Sequence, residues 1–349
     1  MCSFFYLNSE LAALRAFDSA AIFNHLRVTM QAGTDCLPDF IPGSGSNTEI
    51  SQLGSGSDNE VNWIKFNTTS FSNFYIHSTK SLLTAKTFLQ GAYSTGLGRH
   101  KDVTPAWANV LNTYTLRQPY NTTAFGSYAG TESVSPGFFT STPGNTDIVD
   151  WILIETKTSA GSLVARRAAF IREDGMIVDL DGVSPVAMYG QGFGINNIFI
   201  RHRNHLSIRT GLQQLLTPVL LGNSRPLLSY DFTTGQNRAY QNTAITSNAA
   251  MSQSNGVYIM WGGNANTDGY VRVTTLGLPV IPSDAAYILG SILGGNPNFT
   301  YSGYSNGDIN MDGHARSISQ ALPPIPSDVS FILGTILGGD PNATRREHK

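Results

Sequence analysis

The chain has 349 residues, with 22 Lys and Arg against 24 Asp and Glu and a net charge of −2, so no polybasic surface is available to hold nucleic acid by its phosphates. Charged residues make up 13% of it, while 41% is apolar and 10% aromatic; this excludes a charge-extended disordered chain and predicts packed cores in two or three domains. The polarity resides in Ser, Thr, Asn and 35 Gly, a balance that suits β-strands joined by turns and is common in exported surface proteins.

Met1-Cys-Ser-Phe-Phe-Tyr-Leu7 has no basic start, and Glu10 and Arg15 interrupt the apolar stretch, so a secretory signal is not visible. The expectation is a reading frame that begins inside a longer exported chain. Apolar spacing at Leu11, Leu14, Ala21, Ile22 and Leu26 predicts one amphipathic helix over 9–30. The Gly/Ser-rich stretch 43–58 reads as a loop or linker, and 61–64 and 71–77 as a hairpin that ends at Ser78-Thr-Lys80. Residues 1–81 are thus expected to be the remnant of a preceding β module. Two cysteines, Cys2 and Cys36, make no disulfide framework, and no Cys/His cluster points to zinc.

Residues 82–212 read as an antiparallel β-sandwich, with strands at 86–93, 148–156, 163–172, 176–180 and 197–208. Turn chemistry separates them at Pro143-Gly144-Asn145, Ala160-Gly161, Asp174-Gly175 and Asp181-Gly182. A short helix at 105–113 serves as a connection. Residues 213–262 form a connecting β/loop segment, with strand candidates at 230–232 and 257–261. The longest apolar runs, such as 150–154 and 217–222, fall far short of the ~20 residues of a membrane helix.

The last quarter contains an internal repeat. Its first copy reads Asn264-Ala-Asn-Thr-Asp-Gly269, Ile281-Pro-Ser-Asp284 and Tyr287-Ile-Leu-Gly-Ser-Ile-Leu-Gly-Gly-Asn-Pro-Asn298. The second reads Asp308-Ile-Asn-Met-Asp-Gly313, Ile325-Pro-Ser-Asp328 and Phe331-Ile-Leu-Gly-Thr-Ile-Leu-Gly-Gly-Asp-Pro-Asn342. Every match is displaced by 44 positions, as in 264 to 308, 284 to 328 and 298 to 342, so the alignment needs no gap. Oxygen-bearing side chains at positions 1, 3 and 5 with Gly at 6 are the first half of an EF-hand calcium loop: alternate side chains converge on one hard cation, and Gly permits the turn. Position 7, Tyr270 or His314, would offer a main-chain carbonyl. Position 12 holds Thr275 or Ser319 instead of an acid, and the nearest carboxylates, Asp284 and Asp328, lie nine residues further on. With the intervening stretch looped out, each Asp can close the coordination sphere from the start of a helix that Ser283 or Ser327 caps and Gly294-Gly295 or Gly338-Gly339 stops.

Two such loop-helix units over 263–342 resemble a dockerin-type duplicated calcium module, with departures at the inserted stretch, at Asn264 in position 1, and at Arg272 and Arg316 in position 9. The insertion resembles a variant found at the C-termini of large secreted surface proteins of gliding and biofilm-forming bacteria. Segments such as Phe88-Leu-Gln-Gly-Ala-Tyr93, Val149-Asp-Trp-Ile-Leu-Ile-Glu155 and Arg201-His-Arg-Asn-His-Leu206 look like a β module found before such repeats. The resemblance implies two Ca2+ sites, Asn264, Asn266, Asp268, Tyr270 and Asp284 in one and Asp308, Asn310, Asp312, His314 and Asp328 in the other, and a helix surface able to meet a protein partner. Residues 343–349 follow as a tail.

Other residues read as structural. His202 and His205 in one strand would point to opposite faces, placing 201–205 on a polar sheet surface rather than around a metal. Asp174, Asp179 and Asp181 lack a third spaced ligand and mark turns. Trp63, Trp107, Trp151 and Trp261 are scattered as core or edge aromatics rather than a sugar platform. The Asn-x-Thr triplets at Asn67, Asn121, Asn298 and Asn342 fit a compositional origin. No GxSxG, P-loop or HExxH occurs. The fold expectation is mainly β, sandwich modules followed by a small α-helical calcium-binding pair. The functional expectation is a non-enzymatic, extracellular or cell-surface structural or adhesive protein that self-assembles or meets protein partners, with glycans as further candidate ligands. The alternatives are an interaction module of a carbohydrate-degrading complex, or part of a larger secreted enzyme with its site in 82–212 or in a missing N-terminal part.

Overall fold

A computed structural model describes residues 2–17, 26–31, 47–68, 73–190, 194–216, 218–220, 227–275, 281–320 and 326–349. The chain is mainly β, with antiparallel pairing nearly throughout and few, short helices. None of its described helices is long and apolar enough to cross a membrane.

Strand Asn73–Lys86 organises the molecule. Its first half pairs with Arg27–Gln31, while its second half meets Val186–Tyr189 and Met176–Val178 in antiparallel register and Leu227–Asp231 in parallel. Among the described residues, twelve strands are thereby hydrogen-bonded into one sheet that continues through Leu163–Arg172, Ile148–Lys157, Gly194–His202 and His205–Arg209. The strand expected to stop at Ser78-Thr-Lys80 thus runs on through the boundary at 81/82, because partners from distant sequence supply its ladder on both sides. It takes over the first residue of the strand expected at 86–93.

The N-terminal segment also differs from expectation. The helix is Asn8–Phe17, and Arg27–Gln31 is a strand; Ala21 and Ile22 lie outside the described residues. Of the expected loop at 43–58, Asn47–Ile50 and Gln52–Asp58 are strands. Glycine there has a packing reason: a Cβ on Gly56 would stand 2.5 Å from the Trp63 ring, which lies across it. Tyr6, Leu11, Leu14, Leu26, Val28, Ile64, Phe66 and Ile76 close a small core under this end. The main core surrounds Trp151, with Phe170 ring-to-ring at 4.3 Å, and the helix Pro105–Tyr114, capped by Thr104 Oγ1, packs Trp107 and Leu111 into it. The indoles of Trp107 and Trp151 donate to the Val149 and Thr115 carbonyls, which fits their expected core role. A third core, Leu206, Ala265, Val271, Ile288, Leu293, Ile309, Ile332, Ile336 and Leu337, belongs mostly to the repeat.

Two histidines anchor the large sheet in the neutral form. His77 Nδ1 lies 2.6 Å from the Ser78 carbonyl and its Nε2 2.9 Å from Thr29 Oγ1; His100 Nε2 accepts from Leu89 N at 2.7 Å. Burial pushes both imidazoles down to about 4, against the pull of their carbonyl partners. A folded value below the unfolded 6.5 means that the stabilisation is present above pH 6.5 and is lost as pH falls toward 4. Because the buried carboxyls described below shift stability the other way over the same range, the histidine contribution, about 2 kcal/mol each between pH 7 and 5, is read as the difference between wild type and a variant in urea unfolding. His100→Gln, which cannot protonate, should lose less than the wild type over this range; equal slopes would exclude a buried neutral His100.

Candidate metal centre and its seat on the β core

Each repeat copy folds its six-residue loop in the same way. The fourth residues, Thr267 and Met311, have φ of 60° and 57°, and the sixth, Gly269 and Gly313, have 84° and 87°. A branched or bulky side chain at positive φ costs about 1–2 kcal/mol, so its recurrence in both copies reflects a loop held from several sides. Inward-turned side chains provide the hold. Asp268 N donates to Asn266 Oδ1 and Tyr270 N to Asp268 Oδ1; 44 residues later, Asp312 N donates to Asn310 Oδ1 and His314 N to Asp312 Oδ1. At position 1, Asn264 Oδ1 accepts from Gly269 N at 3.3 Å, and Asp308 Oδ2 from Gly313 N at 3.0 Å. Tyr270 and His314 each open a two-residue strand, paired with Arg346 and Ser302 respectively.

The Asp nine residues past position 12 does reach back. Asp284, fully buried, accepts from Asn266 N at 3.3 Å and Arg272 N at 2.9 Å; Asp328 accepts from Ile309 N at 2.7 Å, Asn310 N at 3.3 Å and Arg316 N at 2.8 Å. Ser283 and Ser327 cap the helices that follow, accepting from Ala286 N and Ser330 N. Those helices begin as Asp284–Tyr287 and Asp328–Phe331 and widen into π turns at Ile288–Ile292 and Ile332–Ile336. Gly294-Gly295 and Gly338-Gly339 end them in the left-handed region, with Gly295 N on Leu289 O and Gly339 N on Leu333 O at 2.8 Å.

The electrostatics distinguish the copies. Burial raises Asp284 to about 7 against its backbone donors, with Asp268 adding to the rise. Burial likewise raises Asp328 to about 7, and Asp312 adds to it. Asp308 is driven far above the usual carboxylate range by burial and by the charges of Asp328 and Asp312, with Arg203 opposing. Carboxylates crowded in this way are relieved by a cation. The donors are oxygens, the set a hard cation takes, and each carboxylate oxygen has lone pairs beyond the loop hydrogen bonds described. At position 9, Arg272 reaches Asp268, and Arg316 pairs with Asp312 at 2.7 Å, so a guanidinium shares one outer carboxylate in each loop. Among the described residues no three His, Cys, Asp or Glu side chains meet at one point, so a cation here would need Asn and main-chain oxygens for the rest of its ligands.

The second loop is seated on the β core by a row of main-chain carbonyls. Arg203 Nη1 donates to Ser305 O, Asn204 Nδ2 to Asp308 O at 2.7 Å, and Lys101 Nζ to Asn310 O at 3.4 Å. Gly91 lies so close to Ile309 O that a Cβ there would come within 1.9 Å of it. Residues 343–349, set apart above as a tail, pack on the first loop, where Arg345–Arg346 pair with Tyr270–Val271 and Glu347 N donates to Gly269 O, and on the connecting segment, where His348 Nδ1 accepts from Asn242 N.

The segment 201–205 therefore departs from the expected sheet surface. Its strand breaks at Arg203-Asn204 and turns back, pairing His202 with His205, so alternation does not apply and both rings face one interior, with Nδ1 to Nδ1 at 2.9 Å. Asp150, fully buried, accepts from Arg203 Nε at 3.0 Å, Tyr304 Oη at 2.7 Å and His202 Nε2 at 3.1 Å. Burial alone would raise this carboxyl, yet Arg203 above all holds it down to about 2. The Arg203 guanidinium is 4.4 Å from the Tyr304 ring centroid. Gly91, Lys101, Arg203 and Asn204 escape sequence reasoning because their partners lie roughly 100–200 positions away; the Asn at the turn is the one local signal.

The remaining acids serve structure. Asp179 pairs with Arg167 at 2.5 Å, Asp174 with Arg172 at 2.5 Å, and Asp181 accepts from Val183 N and Ser184 N in a turn. Neither a protein-family model nor a curated protein nor a solved structure matches the chain.

Proposed function

We propose that the chain is a non-enzymatic, extracellular structural or adhesive protein stabilised by two calcium ions, one held by Asn264, Asn266, Asp268, the Tyr270 carbonyl and Asp284, the other by Asp308, Asn310, Asp312, the His314 carbonyl and Asp328. The observation that carries this reading is the recurrence, 44 residues apart, of one loop conformation with its closing, buried Asp. When bound, calcium would supply the positive charge that the crowded carboxylates lack and stiffen the loop against the helix it opens. The Asp150, His202 and His205 array, which in an open cleft could serve acid–base chemistry, is sealed from solvent and supports a structural role.

The second ligand set offers three carboxylates against two for a cation to draw together, and should bind more tightly. Extracellular modules bind at about 10⁻⁴–10⁻³ M, and calcium at about ten times its Kd would stabilise each site by roughly 1.4 kcal/mol. Calorimetric titration of the full chain should resolve two unequal calcium events, and the thermal midpoint should fall on adding EGTA; no heat at millimolar calcium rejects the sites. Electron microscopy in calcium tests the structural role, with ordered assemblies expected and strictly monomeric particles counting against it.

A further inference from the structure

Asn204, fully buried at the tip of the His202–His205 turn, belongs to neither loop and touches the entrance of both. Its main-chain carbonyl accepts from Gly263 N and Asn264 N, each at 3.0 Å. Its side-chain Nδ2 donates to Asp308 O at 2.7 Å, and its Oδ1 lies 2.8 Å from His205 Nδ1, which fixes the amide orientation. Asn264 and Asp308 are position 1 of the two copies, so a single residue of the β core holds the equivalent point of each loop. The short ladders link the copies elsewhere: Tyr270–Val271 of the first loop pair with Arg345–Arg346, which follow the second helix, and His314–Ala315 of the second loop with Tyr301–Ser302, which follow the first, and neither ladder reaches position 1.

We infer that Asn204 is a positioning residue that couples the two calcium loops, so that filling one loop pre-orders the first ligand of the other. The inference rests on the calcium reading above. A cation drawing Asn264 inward fixes the Gly263-Asn264 peptide on the Asn204 carbonyl, and the same residue's amide then holds Asp308 O in place. The second loop no longer loses that freedom when it binds, and the coupling is reciprocal.

The test is a calcium titration cycle on the full chain, using wild type, Asp284→Ala, Asn204→Ala and the double variant, with metal-free melting recorded in parallel. Asp284→Ala, which removes the first site, should weaken the second by about tenfold in the wild-type background. With Asn204→Ala, which deletes the bond to Asp308 O, it should weaken the second by less than about twofold. Equal effects in the two backgrounds, or none in either, overturn the coupling. A purely structural Asn204 would lower the metal-free melting point and leave the cycle unchanged, which also overturns it. Absence of calcium binding by the wild type would instead remove the reading beneath it. Asn204→Ser, which lacks the amide donor as well, replaces the alanine variant if that one does not fold.

Discussion

Asp328→Ala is expected to abolish the tighter calcium event in a titration to millimolar calcium, a loss of more than about 100-fold, while the weaker event persists with reduced affinity. Asp328 is the carboxylate that closes the second loop, and few-ligand calcium sites depend steeply on charge count. Its removal also strands three backbone donors, Ile309 N, Asn310 N and Arg316 N, in a buried place. That adds a metal-independent cost of about 3 kcal/mol or more. Asp328→Asn separates the two effects. Its amide oxygen can still accept from Ile309 and Asn310 and only Arg316 N loses its acceptor, so the metal-free chain should lose about a third of what the alanine variant loses, while the lost charge still removes the second site. Undiminished calcium affinity in both variants would show that Asp328 is only a helix-opening acceptor.

Asp150→Ala is expected to lower unfolding stability by about 3–5 kcal/mol, read as a shift of the urea midpoint. Breaking a buried ion pair on one side leaves the other charge without compensation. The stranded group is Arg203, 2% exposed, between the Tyr304 ring and the Ser305 carbonyl. The His202 and Tyr304 donors lose the same acceptor. Pairing Asp150→Ala with Arg203→Met should recover a large part of the loss, since removing both charges avoids the orphan. If the single and double variants are equally unstable, the ion pair is not the cause. Because Arg203 and Asn204 sit in one turn, the single variant should also weaken the second calcium site.

Much of the repeat was legible because its determinants are local. The Gly at the sixth loop position, the Ser cap, the closing Asp and the Gly pair act within about 30 residues of one another, and each imposes a specific dihedral or hydrogen bond; the left-handed fourth position is not legible, since Thr267 and Met311 carry no sign of it. The folding-back of Asp284 and Asp328 follows from the same proximity. The widening of the helices into π turns was not legible: Leu293 N reaches Ile288 O, and Leu337 N reaches Ile332 O, under packing from the other copy and from Leu206. The full length of strand 73–86 is not legible because four of its five described partner strands, 176–178, 186–189, 218–220 and 227–231, lie about ninety residues or more away. The Gly/Ser stretch before Asp58 resembles a linker because a glycine selected for lying under Trp63 looks, in sequence, like one selected for a turn.

By itself the sequence determined a mainly β chain and a duplicated loop-helix with a fixed spacing of 44, since alternation, capping and left-handed glycines are properties of neighbouring residues. Only the tertiary structure decided that Arg201–His205 is an interior turn, that Asp150 and Arg203 form its buried pair, and that Asn204 stands between the two loops. Long-range packing made those choices. A strand can satisfy its backbone with many partners, but a buried charge and a carbonyl row are satisfied only where another part of the chain presents the matching group.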